Sequence, residues 1–387
     1  MTFGSLGRLT LGRLGASGGG ASGDATALTA ALLTALGFAT TRTGTALSQK
    51  KGAQPSFELV AANVPTFRRE LIDGVAFAAL YAYGSAVPLA SYSNDLTNAA
   101  WTKTNVTADL IAGGGIAGQD RTDLTFTANN GTVTRTLTRS SANRGSLFRI
   151  EAPATNAGAI KVSQDNGSTQ VTVTPGSFQE IELPAVTSAN PTLHIQGTIL
   201  GDTAKVYDAQ HFEPAAGVPV PLHVPPQGAT PASLGATQYR ANLPAPPTAI
   251  DFDILFRTPL SGPAGSMIAL TLGNSGSAST ERLLVDWVSG SGGQLRLLTR
   301  TTSGTTFFVN PNTLSHVRVR WSGTTLTANL NGGADVVSAV EALALADYIW
   351  LGSRSLGDHF SSSIIALRDN NGQILGASGA GFNVQAF

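Results

Sequence analysis

The chain has 387 residues, with 24 Lys and Arg balanced by 24 Asp and Glu, no cysteine, 44 glycines, 19 prolines and only 12% charged residues. A formal net charge of zero supplies no basic field for nonspecific nucleic-acid binding, and the absence of thiols excludes disulfides and thiolate metal sites, so stability must come from packing or assembly. The length allows two or three domains with cores of their own, and the Gly, Pro, Thr and Ser content is that of turn-rich all-β modules rather than of helical bundles or parallel α/β folds.

Residues 1–23 repeat Leu-Gly-Arg-Leu at Leu6 to Leu9 and at Leu11 to Leu14, then run into Gly18, Gly19 and Gly20. Such glycine density opposes ordering in isolation, yet Phe3, Leu6, Leu9, Leu11 and Leu14 are regularly spaced apolar groups. The segment reads as an anchor that orders on assembly against a neighbouring protein, and a solvated tail with incidental leucines is the other reading. Residues 24–38 read as a short helix with Asp24 as N-cap, Leu28, Leu32, Leu33 and Leu36 at helical spacing, and Gly37 as the stop. The leucine stripe is expected to pack on the same helix of other copies or on the first sandwich. Thr29 and Thr34 interrupt the run too early for a cleaved signal peptide, and no window approaches the roughly 20 apolar residues of a membrane span.

Residues 39–85 read as an extended lead-in. Residues 86–213 carry nine expected strand segments, at 101–111, 121–127, 131–138, 145–151, 159–163, 169–173, 179–183, 192–197 and 204–213, separated by turn signals such as Asn130-Gly131, Asp165-Asn166-Gly167 and Pro175-Gly176. Strands of that length and spacing predict a jelly-roll sandwich of the carbohydrate-binding-module kind. Residues 214–248 hold nine prolines and read as a stiff linker. Residues 249–387 read as a second sandwich, in which Val317, Val319 and Trp321 alternate with Arg318 and Arg320. The expected fold class is therefore all-β: two antiparallel sandwiches in tandem behind a Gly-rich anchor and one short helix.

Within the first sandwich, Tyr92-Ser93-Asn94-Asp95 followed by Asn98-Ala99-Ala100-Trp101-Thr102-Lys103 is too particular for a generic strand. These residues resemble the opening of the first sandwich in a family of bacteriophage tail-fibre, collar and head-spike proteins. Upstream, Ala61-Ala62-Asn63-Val64-Pro65-Thr66-Phe67 is similar to the segment preceding that sandwich, with Thr66 where Arg is usual, and Leu96 stands where Phe is usual. Val206 to Glu213 resembles the family's closing strand. Leu314 to Trp321, Thr325 to Gly332, Tyr348 to Gly352 and Phe360 to Arg368 resemble laminin-G or concanavalin A-like lectin strands, with Ser362 where glycine is commoner.

The resemblance implies a structural virion protein of a tailed phage, a fibre, spike or collar component exposed on the particle and made in the bacterial cytoplasm. It further implies a homo-oligomer, by default a trimer, joined to other virion proteins through residues 1–23 and meeting host-surface polysaccharide through its sandwiches. The alternative is a purely architectural or decoration protein with no ligand. The residues themselves offer no catalytic pair: Glu-x-Asp-x-x-Glu, which places two carboxylates about 5 Å apart across a glycosidic bond, is absent. Asp251 and Asp253 share a strand face but read as solvated, and His194, His211, His223, His316 and His359 are scattered, so neither an enzyme nor a metal or other cofactor is expected. Trp101 reads as a core anchor. Sugar recognition needs an aromatic platform beside polar groups, and the candidates are Trp287, next to Asp286, with Arg354, Asp358 and His359 in one polar loop.

Overall fold

The computed structural model describes residues 29–50, 55–72, 75–83, 87–137, 144–186, 191–212, 222–259, 266–274, 281–288, 293–299, 303–343, 346–352, 362–382 and 385–386. The fold is all-β: among the described residues one short α-helix and a single 3-10 turn accompany strands whose named ladders are all antiparallel. The chain forms two compact units. One is built from Gly44–Ala61 and Ser85–Gly235, the other from residues up to Thr43 with Ala62–Gly84 and Ala236–Phe387.

In the first unit, Phe178–Val186, Arg144–Glu151, Thr203–Phe212, Arg121–Phe126 and Val106–Ile111 make one five-stranded sheet, in that order. Val171–Thr172, Ile160–Ser163, Thr192–Gly197, Gly131–Thr136 and Thr102–Thr104 make the other. Side chains from both, among them Phe126, Phe148, Ile150, Ile160, Val162 and Ile195, meet in one core. Every one of the nine expected segments carries a strand, and the first carries two, because Asn105 at φ 56° breaks it and sends Thr102–Thr104 and Val106–Ile111 to different sheets. A Cβ at Gly197 would stand 2.4 Å from the Phe126 ring, so that ring fills the space only glycine leaves.

The second unit pairs a seven-stranded sheet with a nine-stranded one. The first runs Ala39–Thr41, Gln238–Asn242, Tyr348–Leu351, Ser266–Gly273, Glu281–Val288, Gln294–Thr299, Ser303–Phe308. The other runs Val336–Ala339, Thr325–Leu330, Leu314–Ser322, Ala249–Arg257, Ser362–Asp369, Val75–Ala82, Gln385–Ala386, with Gly381–Phe382 and Phe67–Ile72 paired alongside. Val317, Val319 and Trp321 enter its core as their alternation requires.

Two segments differ from their plain sequence reading. The lead-in is divided: Ala39–Thr41, Phe67–Ile72 and Val75–Ala82 join the second sandwich, while the hairpin Ala46–Gln49/Phe57–Val60 belongs to the first unit. The proline-rich run donates Gln238–Asn242 to a sheet, because that stretch is free of proline and alternates, with Tyr239 and Ala241 in the core. The helix spans Ala30–Ala35 with Thr29 as N-cap, its Oγ1 accepting from Leu32 N at 3.0 Å, whereas Asp24 lies outside the described residues. Gly37 at φ 81° ends it as expected: Gly37 N donates to Thr34 O and Phe38 N to Leu33 O, the double bond of a glycine C-cap. Leu33 and Phe38 then pack into the second core, correcting the expectation that the stripe meets the first sandwich.

Candidate functional site

The distinctive stretch from Ser91 to Lys103 is a structural corner. Trp101 is buried, its Nε1 donates to Tyr92 O at 2.9 Å, and the Arg135 guanidinium lies 5.6 Å from its ring centre while holding Ser91. Lys103 Nζ sits 3.0 to 3.3 Å from the carbonyl oxygens of Leu96, Thr97, Asn98 and Trp101, so an ammonium folds the turn around itself. Asp95 and Asn98 accept from the backbone N–H two residues on, as short turn side chains do. No face of Trp101 is offered to a ligand.

The outer face of the sheet holding Arg144–Glu151 is closed in a similar way. Arg149 and Asp208 are both fully buried and paired at 2.8 Å, and Arg149 also meets Glu180 at 3.0 Å. The same guanidinium donates to the carbonyls of Val224 and Leu222, fastening the proline-rich segment over the sheet, and Ser93 Oγ bonds Asp208 at 2.5 Å. Burial pushes the Asp208 carboxyl up to about 6 against the pull of Arg149 and Ser93. Two carboxylates share the one guanidinium, and the Glu180 charge adds a smaller upward push to that of burial.

Of the sequence-predicted glycan residues the structure describes Trp287. Trp287 is 0% exposed in the second core and its Nε1 donates to Val309 O at 3.1 Å, so it has no face open to a sugar. The reason is alternation: Leu283, Val285 and Trp287 enter the core, while Asp286 takes the opposite face of the sheet, where it is also buried and meets Arg296 Nε at 3.1 Å. Adjacency in sequence placed Trp287 and Asp286 on opposite faces. Arg354, Asp358 and His359 lie outside the described residues, as do Phe3, Leu6, Leu9, Leu11 and Leu14. Asp251 and Asp253 are tied rather than solvated: Arg318 bonds Asp251 at 2.9 Å, His316 Nε2 lies 2.8 Å from Asp253, and Asn370 Nδ2 donates to both. Burial raises Asp253, but its bonds to His316 and Asn370 outweigh it and hold the carboxyl below its ordinary value. Among the described residues no group of three His, Asp or Glu is arranged to hold a metal ion, and no helix is long and apolar enough to cross a membrane.

The outer face of the seven-stranded sheet carries the arrangement that the sequence reading missed. Gln238–Asn242 and Tyr348–Leu351 pair so that Arg240 stands opposite Trp350 and Asn242 opposite Tyr348. Tyr239, Ala241, Ile349 and Leu351 take the core face, which leaves Arg240, Asn242, Tyr348 and Trp350 on the other. Tyr348 and Trp350 have ring centres 5.3 Å apart, and the Arg240 guanidinium carbon stands 4.6 Å from the first and 5.9 Å from the second. Tyr348 is buried and Trp350 half-buried, whereas Arg240 and Asn242 are exposed. The result is an aromatic ledge rimmed by a cation and an amide. Alternation in Tyr348-Ile349-Trp350-Leu351 was the available signal, but Arg240 lay hidden in the proline-rich run.

No protein-family model matches the chain, and no curated protein matches it. Among solved structures, the N-terminal CBM22-1-CBM22-2 tandem domain from Paenibacillus barcinonensis Xyn10C matches at 10% identity over 73% of this chain and 99% of that one, with a TM-score of 0.27. A truncated AlyQ with CBM32 and alginate lyase domains matches at 10% identity over 69% and 96%, with a TM-score of 0.25. At these scores neither superposition bears on function.

Proposed function

We propose that the chain is a surface component of a tailed-phage virion, a fibre, spike or collar part, and that it holds host-surface polysaccharide on the outer face of its seven-stranded sheet. The observation that carries the binding half is the half-buried indole of Trp350, backed by the buried Tyr348 ring and rimmed by exposed Arg240 and Asn242. A pyranose ring offers an apolar face and a rim of hydroxyls, which an aromatic surface edged by hydrogen-bonding side chains complements. The virion half rests on the resemblance of the Ser91 to Lys103 corner. A homo-oligomer, by default a trimer, would multiply weak individual sites.

The test is a glycan array probed with the multimerised full-length chain and with Trp350→Ala. Saturable binding lost in the variant supports the reading, and no binding by the wild type sinks it. The architectural alternative has its own support. Phe308 and Val337, 76% and 64% exposed, sit on Ser303–Phe308 and Val336–Ala339, the last strands of the two sheets, which Thr305 and Ser338 join at 3.0 Å. Edges that carry no further strand among the described residues, with apolar side chains on them, suit packing against a neighbour. Retention of the chain in purified particles without any glycan binding favours it.

A further inference from the structure

Resting on the reading of the Trp350 face as a glycan site, we infer that its ligand is an acidic saccharide, whose carboxylate Arg240 grips while the sugar ring lies on the indole. Among the arginines of known placement, Arg68, Arg121, Arg149, Arg257, Arg296, Arg318 and Arg320 are already neutralised, each in an ion pair with an Asp or Glu. Arg240 is different. It is exposed, and among the described residues no carboxylate lies within ion-pair distance and no acceptor takes its N–H groups.

What Arg240 does have is orientation. It lies within cation–π distance of Tyr348 and Trp350, and such stacking engages the face of the guanidinium and leaves the N–H donors in its plane directed outward. A planar carboxylate accepts two parallel N–H bonds from that edge, a geometry that a neutral hydroxyl cannot reproduce. The stack also removes part of the rotamer freedom that a long side chain loses on binding. Asn242, two residues along the same strand face, is exposed and its side-chain amide has no hydrogen-bond partner among the described residues, so it supplies donors and an acceptor for ring hydroxyls beside the acid. A preoriented, uncompensated cation beside a half-buried indole thus selects a sugar acid over its neutral counterpart.

The experiment uses the full chain with polygalacturonate, polysialic acid and hyaluronan, each beside its carboxyl-reduced polymer, and sulfated dextran as a charge control. Wild type, Arg240→Gln, Arg240→Lys and Trp350→Ala are compared by titration calorimetry, with circular dichroism to verify folding. The expected result is that at least one acidic polymer binds about tenfold to a hundredfold more tightly than its reduced form. Arg240→Gln abolishes that preference, Arg240→Lys recovers only part of it, and Trp350→Ala weakens both forms. Equal binding of acidic and reduced polymers, with Arg240→Gln silent and Trp350→Ala weakening both, overturns the acidic-sugar inference and leaves the glycan face standing. Preference for acidic polymers that survives Arg240→Gln, or equally tight sulfated dextran, also overturns the inference. No binding to any polymer overturns both readings.

Discussion

Replacing Arg149 by methionine removes the guanidinium from the buried cluster of the first sandwich while nearly preserving its volume. Asp208 then faces Glu180 without the shared cation, and the Leu222 and Val224 carbonyls lose their donor. Even with Arg149 present, a carboxyl lifted from 3.8 to about 6 means that ionised Asp208 is held at a cost of about 3 kcal/mol. Removing the cation from such a pair costs about 3–5 kcal/mol more at neutral pH. Because the folded value lies above the unfolded one, the stability Asp208 contributes is fully present below about 3.8 and is lost as pH rises through about 6. In Arg149→Met the carboxyl moves higher still, so the deficit is largest near pH 8 and shrinks toward pH 5. Urea unfolding followed by far-ultraviolet circular dichroism at both pH values measures this. A deficit below about 1 kcal/mol, or one that grows on acidification, refutes the reasoning. Asp208→Asn, which leaves the Arg149–Glu180 pair balanced, is expected to cost less than about 2 kcal/mol and to flatten the pH dependence over the same range.

Trp101→Ala should destabilise the first sandwich by about 3–5 kcal/mol, and Lys103→Met, which orphans the carbonyls around Nζ, by about 1–3 kcal/mol, both read by chemical denaturation. A fragment of residues 249–387 lacks four strands of the second sandwich, Ala39–Thr41, Phe67–Ile72, Val75–Ala82 and Gln238–Asn242, and should give the collapsed amide spectrum of an unfolded chain, whereas a dispersed spectrum would contradict the topology. Asp253 has the opposite linkage to Asp208: its stabilisation is present above the ordinary carboxylate value and lost as pH falls through its depressed one. Asp253→Asn should therefore remove part of the acid limb of a stability–pH curve, and an unchanged limb would show that His316 and Asn370 do not favour the ionised form.

Strand identities were legible because side-chain alternation and turn chemistry are local. Val317, Val319 and Trp321 reveal their face within five residues, and Gly37 marks the helix end by its own backbone freedom. Partnership was not local. Nothing near Gln238-Tyr239-Arg240 announces that a run bordered by prolines will pair with Tyr348–Leu351, so the ledge could not be assembled from sequence. Trp287 failed as a platform for the complementary reason: adjacency to Asp286 suggested one site, but the strand period of two separates neighbours. The same rule, applied to Tyr348 and Trp350, would have pointed to the outer face.

The division of the lead-in between two cores has a consequence for synthesis. As the chain emerges from the ribosome, the hairpin of Phe67–Ile72 and Val75–Ala82 is made before any of the first sandwich beyond its small hairpin, yet Ala82 meets its ladder partner only after Ser362 has been made. Throughout that interval its edge lacks its Ser362–Asp369 partner. Assembly of the second sandwich is thus a late, long-range event, in which slowed elongation or chaperone occupancy should raise the yield of native chains more than it does for proteins whose domains fold in sequence order.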